Sequence, residues 1–449
     1  MLVIEEKMSA VVTKYKNHMK ELLTLAMPMI MGNLGIILIG AGSVFVAAKH
    51  STDTLAAISI ANSLIACIFM FGIGLLASVS PLLSNYRGRK EGAKKYFLPT
   101  IAFALVLAFC STIAILLSVP LVEKIGFEPK LMPAIKQFMI ISAFSTFGGY
   151  LHAALKEYLQ AFEIVFFPNF IAVISVFLNI LLSFIFVFGW FGLPAMGAVG
   201  IAIACLLSRT FEGLCLLIFC LSFIRLEKFN DVRYYLNLLK IGFPIAMAIL
   251  FEFLAFNIIT IIMGKVSGVY AAGHNILLTI ITATFMIPLS ISTAIAVKVG
   301  FANGAKNFAD LKGYSIAGTG LSVGFMTLGA VVFIMFPDFL VNIFTQDPLL
   351  VKICVPIMML AGIFQIFDGL QVSLSGIFKG IKQTNTVMIG DLFAYWVIGL
   401  PLGFLLAFHY KMNLYGFWVG LTISLFSLSM LLLFILLRKF KALKKDWKA

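Results

Sequence analysis

Two carboxylates, Glu252 and Asp368, each lie near the middle of a long apolar stretch. Only 12% of the 449 residues are charged, whereas 61% are hydrophobic. An ionised carboxylate is unfavourable in such surroundings, so an acid retained there is more often functional than incidental. Isolated acids of this kind can bind a proton or a cation such as Na⁺. The two residues therefore predict an ion site inside a membrane.

Further polar residues surround these acids in the sequence. Gln365 and Gln371 lie three residues before and after Asp368, which places all three on roughly one helical face. Glu252 follows Pro244 by eight residues. Polar residues within other apolar stretches are also candidates for the site: Asn179, His274, Asn275, Asp391 and Tyr395. Arg209 and Glu212 have the spacing of a local ion pair, so we predict that they neutralise each other.

The elements that carry these residues are predicted to be membrane-spanning helices. A mean hydropathy of +1.07 leaves too little polar surface to cover a soluble globule. Runs of about 20 apolar residues recur along the chain, and the alternating pattern of a membrane barrel is absent. The sequence thus predicts an all-α integral membrane protein with twelve spans: 22–48, 54–84, 97–122, 132–160, 164–190, 196–223, 238–263, 270–297, 313–336, 350–378, 386–408 and 413–437.

The net charge of +14 follows the pattern that orients membrane proteins. Of the 33 basic residues, 25 lie on the side of the predicted membrane where the N-terminus lies, seven lie on the opposite side, and Arg209 lies inside a span. Basic loops face the cytoplasm, so we expect both termini there. A nucleic-acid partner is not expected, because the positive charge is accounted for by these loops.

The chain reads as two halves with one plan. LLTLAMP, ending at Pro28, corresponds to LLKIGFP, ending at Pro244, and Val199-Gly200 corresponds to Val419-Gly420. We also align the turn that begins at Gly88 with Gly300. A duplicated six-helix unit is predicted, with its two lobes related by a pseudo-two-fold axis along the membrane normal. The lobes are placed at 1–224 and 241–449, joined by a charged cytoplasmic linker, 225–240.

No motif of an enzyme or of an ATP-driven pump is present. The sequence lacks a nucleophile elbow, a Walker A sequence and metal-ligand spacing. We therefore predict a transporter without cofactors. A receptor or channel would leave the duplication and the paired acids unexplained.

Several segments resemble the multidrug and toxic compound extrusion (MATE) family, in its NorM-like branch, and the match extends over nearly the whole chain. They are LAMP ending at Pro28, FGIGLLASVSPLLSNYRG (71–88), IGFPIAMAILFE (241–252), AAGHN (271–275), FDGLQ (367–371) and AYWVIGLPLGF (394–404). The resemblance implies a bacterial inner-membrane antiporter that exports amphipathic organic cations in exchange for Na⁺ or H⁺. It also implies a protein that acts in the lipid bilayer, and we expect a monomer.

The resemblance assigns roles to individual residues. Glu252 and Asp368 match the glutamate and aspartate of the C-lobe cation site, so they are the expected coupling pair and the expected Na⁺ ligands. His274-Asn275 matches a His-Gln pair, and Asn179 matches an N-lobe asparagine. The chain departs from the family at three positions: Ser43 and Gln160 replace N-lobe acids, and Phe364 replaces a tyrosine near the cation site.

These departures predict that ion coupling falls on the C-lobe. The leading hypothesis is a cation-coupled multidrug exporter that works by alternating access. The alternative is a flippase of lipid-linked precursors from the wider superfamily, although such proteins usually have strongly charged cavities.

Overall fold

A computed structural model describes residues 2–224, 227, 229 and 231–447, with side chains from residue 13 onward apart from those of residues 36 and 125. The described residues form helices joined by short turns, and no strand occurs among them. In chain order the helices are α1 Leu2–His50, α2 Thr52–Leu76, α3 Val79–Gly88, α4 Phe97–Ile125, α5 Met132–Ala161, α6 Phe166–Phe188, α7 Ala198–Leu221, α8 Val232–Val266, α9 Gly268–Gly304, α10 Phe308–Met335, α11 Pro337–Asn342, α12 Pro348–Gly380, α13 Thr384–Asp391, α14 Leu400–Phe404 and α15 Asn413–Asp446.

All twelve predicted spans are confirmed within the described residues. Twelve helical segments there are long and apolar enough to cross a membrane. One is α2 with α3, and another runs from Thr384 to His409 through two π-helical stretches. The first span is longer than predicted, since its helix includes the charged residues before Leu22. The helix of the seventh span begins at Val232, so the predicted linker 225–240 is partly helical, and residues 225, 226, 228 and 230 lie outside the described residues.

Local sequence explains where several helices start. The first N–H groups of an α-helix have no partner within the helix, and short polar side chains satisfy them best. Backbone N–H groups in the first turns of α2, α9, α10 and α12 donate to the side chains of Ser51, Ser267, Asn307 and Asp347, respectively. These caps fix the starts of the two helices, α9 and α12, that carry His274 and Asp368.

The chain divides into two compact units. The first, here called the C-unit, contains Met1–Met27, Ser84–Glu91 and Met247–Ala449. The second, the N-unit, contains Pro28–Leu83 and Gly92–Ala246. A hydrophobic core cluster of the N-unit includes buried Ile58, Ile115 and Phe138 of α2, α4 and α5, and residues of α1, α6 and α7 also belong to it. The predicted lobe boundaries at 224 and 241 stay a prediction.

The backbone carries the duplication in its turns. After α5 and α12, Glu163 and Lys382 adopt left-handed φ values of 66° and 61°. Their N–H groups donate to the carbonyls of Gln160 and Lys379, at 2.9 and 3.0 Å. The ends of these two helices and their turns thus agree at a separation of 219 residues, as the predicted repeat requires.

One part of the predicted repeat alignment is wrong. The turn after α3 has a left-handed Lys90 (φ 62°), and the turn after α9 has a left-handed Lys306 (φ 53°). These turns pair Gly88 with Gly304, 216 residues away, and not with Gly300. Because the residues of the two segments are similar, the segments can also be aligned with a shift of about one helical turn. The backbone conformation identifies the correct alignment.

The two equivalent turns contact each other in the C-unit. A Cβ atom at Gly304 would lie 2.9 Å from the carbonyl carbon of Asn85 and closer still to its oxygen, so the backbones touch. The Asn85 amide donates to the Gly300 carbonyl at 3.3 Å and accepts a hydrogen bond from Lys382 Nζ at 2.9 Å. Burial and the nearby Arg89 lower the pKa of Lys382. Glycine is required at position 304, because a Cβ atom there would overlap the backbone of Asn85.

The first part of α1 is held on α9 and α10 by polar contacts. Lys298 Nζ and the Tyr314 hydroxyl both donate to the Glu21 carboxylate, at 2.9 and 2.6 Å. One turn earlier, His18 packs edge-on against the Tyr314 ring with centroids 4.3 Å apart. Lys14 pairs with Asp310 at 3.0 Å. These contacts explain why α1 belongs to the C-unit up to Met27, the residue before Pro28.

Gly304→Ala should destabilise the protein, because the added methyl group overlaps backbone atoms that cannot move independently. We expect the free energy of unfolding to fall by about 1–3 kcal/mol. The matched control is Gly324→Ala on α10, where a Cβ atom has nothing within 4 Å. There alanine should leave stability unchanged or raise it by up to about 1 kcal/mol. Thermal unfolding in detergent measures both, and equal midpoints would contradict the close turn contact.

Candidate functional site

Three acids, two of them buried and one partly buried, lie near one another in the C-unit. Glu252 is on α8, Asp368 on α12 and Asp391 at the end of α13. Asp368 and Asp391 are 4% and 3% exposed, whereas Glu252 stays partly exposed. Both aspartates interact electrostatically with Glu252. Three carboxylates cannot all stay ionised together without compensation, so the cluster favours bound protons or cations.

The segment after α13 positions this cluster. Residues Leu392–Gly399 form a π-helical stretch, a local widening that occurs often at functional sites. From this stretch the Trp396 indole N–H donates to the carbonyl of Phe251, next to Glu252, at 3.1 Å. The Tyr395 hydroxyl lies near the Glu252 carboxylate, although it makes no hydrogen bond of normal geometry. The eleventh span is thus fastened to α8 beside the acid.

Two amides of α12 extend the polar cluster. Gln371 Nε2 donates to Asp391 Oδ1 at 3.3 Å. Gln365 is fully buried, and neither its amide oxygen nor its amide nitrogen has a hydrogen-bond partner. Buried amides are nearly always satisfied, so an unpartnered one is a polar group available to a ligand. The predicted grouping of Asp368 with both glutamines on one helix is present.

A group of aromatic rings packs beside the acids. Phe256 on α8 has its centroid within 6.5 Å of the His274, Phe364, Tyr395 and Trp418 rings. His274 Nε2 lies 3.3 Å from the Phe256 carbonyl. Phe364 meets Trp418 edge-on at 5.5 Å. Phe364, at the position where the resemblance expects a tyrosine, therefore contributes packing, while Tyr395 supplies a hydroxyl to the same region.

The structure brings together eight of the sequence-predicted residues and leaves four outside. The eight are Glu252, His274, Phe364, Gln365, Asp368, Gln371, Asp391 and Tyr395. Asn275 is exposed, because one residue further along α9 rotates a side chain by about 100° away from His274. Ser43, Gln160 and Asn179 are buried in the N-unit, each with an oxygen atom that has no hydrogen-bond partner.

The predicted ion pair between Arg209 and Glu212 is wrong. Arg209 Nη1 donates to Ser145 Oγ at 2.9 Å, and its guanidinium lies 4.3 Å from the centroid of the Phe69 ring. Glu212 instead faces His152 on α5. The two side chains are neighbours along α7, but each finds a partner on another helix.

Sequence reasoning missed Lys379. This lysine on α12 interacts electrostatically with both Glu252 and Asp391. It lies eleven residues after Asp368, which is close to three helical turns, so the spacing could have placed it on the same face. Asp391 was a candidate without an assigned role. Lys379 leaves the cluster with three acids and one base.

The described residues contain no group of three or more His, Cys, Asp or Glu side chains that could hold a metal ion. A Na⁺ ion at Glu252 and Asp368 would need oxygen ligands of other kinds. Hard cations bind carboxylate, amide and carbonyl oxygens, and Gln365 offers such an oxygen. The assignment of Na⁺ to these two acids stays a prediction.

Comparison with known proteins gives one consistent result. The MatE family model matches residues 28–185 and 244–405, two segments that begin at the equivalent prolines of the repeat. A probable multidrug resistance protein NorM from Mesorhizobium japonicum is 30% identical over 442 residues, covering 95% of each chain. A protein of the same name from Bacillus subtilis is 27% identical over 426 residues, 91% of this chain and 93% of the other.

Solved structures share the fold. A MATE transporter from Vibrio cholerae superposes with a TM-score of 0.89 at 16% identity, covering 96% of this chain and 98% of the other. A eukaryotic MATE transporter gives a TM-score of 0.84 at 21% identity, with 97% and 100% covered. The all-helical architecture is therefore shared over almost the full length.

Trp396→Phe should weaken ion binding, because it keeps the ring but removes the hydrogen bond to the Phe251 carbonyl. The loss of about 1 kcal/mol corresponds to a roughly fivefold higher ion concentration at half-maximal transport. Trp190→Phe, at an exposed tryptophan in the N-unit, is the matched control. If both variants behave like the wild type, the indole does not position Glu252.

Proposed function

Because the chain belongs to the MatE family, whose solved members are multi-pass membrane transporters, we propose that it is a cation-coupled multidrug efflux antiporter. The observation that carries this proposal is the cluster of the partly buried Glu252 with the buried Asp368 and Asp391 in the C-unit. Three acids against Lys379 leave an excess of negative charge when ionised. Such a cluster attracts cations from either side of a membrane.

The coupling follows from the limited capacity of the acids. Protonation or Na⁺ binding neutralises Glu252 and Asp368, and this removes the attraction for a second cation. A drug cation and the coupling ions therefore compete, and alternate exposure of the site converts competition into exchange. The membrane potential adds about 2.3 kcal/mol per charge and 100 mV, which is enough to bias the cycle.

Amphipathic organic cations are the proposed substrates. Their charge is attracted by the acids, and their apolar parts suit a site built beside aromatic rings. A cation over such a ring gains about 0.5–2 kcal/mol. A lipid-linked precursor, the substrate of a flippase, carries anionic groups that the same excess of acids would repel. The charge of the cluster therefore favours the exporter.

We propose a bacterial inner-membrane location with both termini in the cytoplasm. The support is the 25 of 33 basic residues at the N-terminal end of the spans. Apolar side chains such as Leu117, Phe177 and Ile218 cover outward surfaces of single helices, as lipid contact requires. Since one chain contains both repeats, a monomer supplies every group that the mechanism uses.

Glu252→Gln and Asp368→Asn should each abolish ion-driven efflux of ethidium, because each removes a charge that binds the coupling ion. The decrease should be at least tenfold with the folded protein retained, as judged by size-exclusion chromatography. Asp338→Asn, at an exposed acid of α11, is the matched control and should transport normally. Full efflux in the Glu252→Gln/Asp368→Asn double variant would refute the C-unit mechanism.

Imposed gradients in proteoliposomes identify the coupling ion. At equal pH, an antiporter driven by Na⁺ accumulates ethidium on the side with more Na⁺. An antiporter driven by protons accumulates it on the more acidic side in the absence of Na⁺. We expect at least one gradient to drive transport in the wild type and neither to do so in Glu252→Gln. Transport that ignores both gradients would argue against antiport.

A further inference from the structure

A second cluster of ionisable side chains lies inside the N-unit, away from any residue assigned so far. His152 and Lys156 lie one turn apart on α5, and Glu212 is on α7. His152 Nδ1 lies 3.5 Å from Glu212 Oε2. Both residues are 8% exposed. An imidazole facing a carboxylate inside a membrane helix bundle is a group that can take up and release a proton.

Burial and Lys156 oppose a charge on the His152 ring, whereas two acceptors attract its protonated form. Glu212 faces Nδ1, and the backbone carbonyl of Pro168 on α6 also interacts with the ring. Nε2 is buried and makes no hydrogen bond of normal geometry. A neutral imidazole has one N–H and can serve only one acceptor, whereas the imidazolium serves both. Proton uptake therefore gives both ring nitrogens an N–H group to donate.

Lys156 balances the charge of this cluster. Its Nζ donates to Asn33 Oδ1 on α1 at 3.3 Å, and it interacts electrostatically with Glu212, Glu157 and His152. Among the described residues, Glu212 and Lys156 are the charged groups that act on the His152 ring, and α2 and α4, which also pack on α5, add none. Arg209 is held by Ser145, which leaves the Glu212 carboxylate to His152 and Lys156.

The internal repeat places this pair at a meaningful position. The separation of 219 residues that relates the ends of α5 and α12 aligns His152 with Gln371. Gln371 donates to the buried Asp391 at 3.3 Å. At this equivalent position of α5 and α12, each unit thus has a buried side chain that faces a buried carboxylate, supplied by α7 in the N-unit and by α13 in the C-unit. In the C-unit this side chain is an amide, which cannot titrate; in the N-unit it is an imidazole, which can.

Polar residues connect His152 with one end of the bundle. His152 lies nine residues before the end of α5 at Ala161, a distance of about 13 Å along the helix. Lys156 lies one turn closer to that end and is only partly buried, as is its partner Asn33. The same end carries the basic turns that we assign to the cytoplasm. Lys156, hydrogen-bonded to Asn33, is therefore a polar group between His152 and that end of α5.

We propose that His152 and Glu212 form a second proton-binding site in the N-unit, which moves one proton per cycle in addition to the ions bound by the C-unit. His152 accepts the proton on its free nitrogen, Glu212 stabilises the imidazolium, and no other bond changes. The proposal rests on the proposed function in one respect, that transport is ion-coupled antiport. It adds that coupling does not fall on the C-unit alone.

The number of protons per substrate tests the proposal. Proteoliposomes with the membrane potential clamped at zero and no Na⁺ gradient receive a pH difference of about one unit, and the ethidium gradient at which net flux stops is measured. Each coupled proton supports about a tenfold ethidium gradient under these conditions. His152→Gln, which places the C-unit's amide in the N-unit, should therefore lower the limiting gradient about tenfold. Glu212→Gln should do the same by removing the stabilising charge.

Controls separate this proposal from the proposed function. His50→Gln removes an exposed histidine at the end of α1 and should keep the wild-type gradient. If His152→Gln does not fold, Glu212→Gln supplies the same measurement. A wild-type gradient in a folded variant at either position overturns the N-unit site and leaves the exporter intact. If Glu252→Gln keeps the full wild-type limiting gradient, the C-unit mechanism fails, whatever the N-unit variants do.

Discussion

Carboxylates buried among apolar helices are the constraint that organises this molecule. A carboxylate in such surroundings needs a compensating group, and for three of them that group comes from another helix. Asp391 receives the amide of Gln371, Glu212 faces His152, and Lys379 acts on Glu252 from three turns beyond Asp368. The ion site therefore depends on how the helices pack, because a shift of one helix would separate a carboxylate from the group that compensates its charge.

Composition and hydropathy were sufficient to predict the spans and the two central acids. Both depend on the energy of placing residues in lipid, which is a property of the sequence itself. The partner of each polar side chain was not predictable in the same way. Arg209 and Glu212 have suitable spacing, yet Arg209 donates to Ser145 and Glu212 faces His152, both on α5. Asn275 shows the same limit, since a neighbour of a buried histidine can face outward.

The duplication has kept the backbone and changed the side chains. The turns after α5 and α12 each have a left-handed residue at the same position, Glu163 and Lys382, and the N–H groups of these residues make equivalent hydrogen bonds. At equivalent positions of these helices, however, Gln160 in one unit corresponds to Lys379 in the other, and His152 corresponds to Gln371. Conserved turns keep the helices in register, so that exchange of a few interior residues can give each unit a different ion chemistry without rebuilding its fold.

The two π-helical stretches of the eleventh span, Leu392–Gly399 and Leu405–His409, affect how the chain should be compared with its relatives. A π-helical turn accommodates one residue more than an α-helical turn over the same rise. A relative whose eleventh span is regular α-helix should therefore show a deletion of one residue at each stretch, within a membrane span. Alignments that forbid gaps in spans would pair Tyr395 with the wrong residue and shift every assignment up to the following loop.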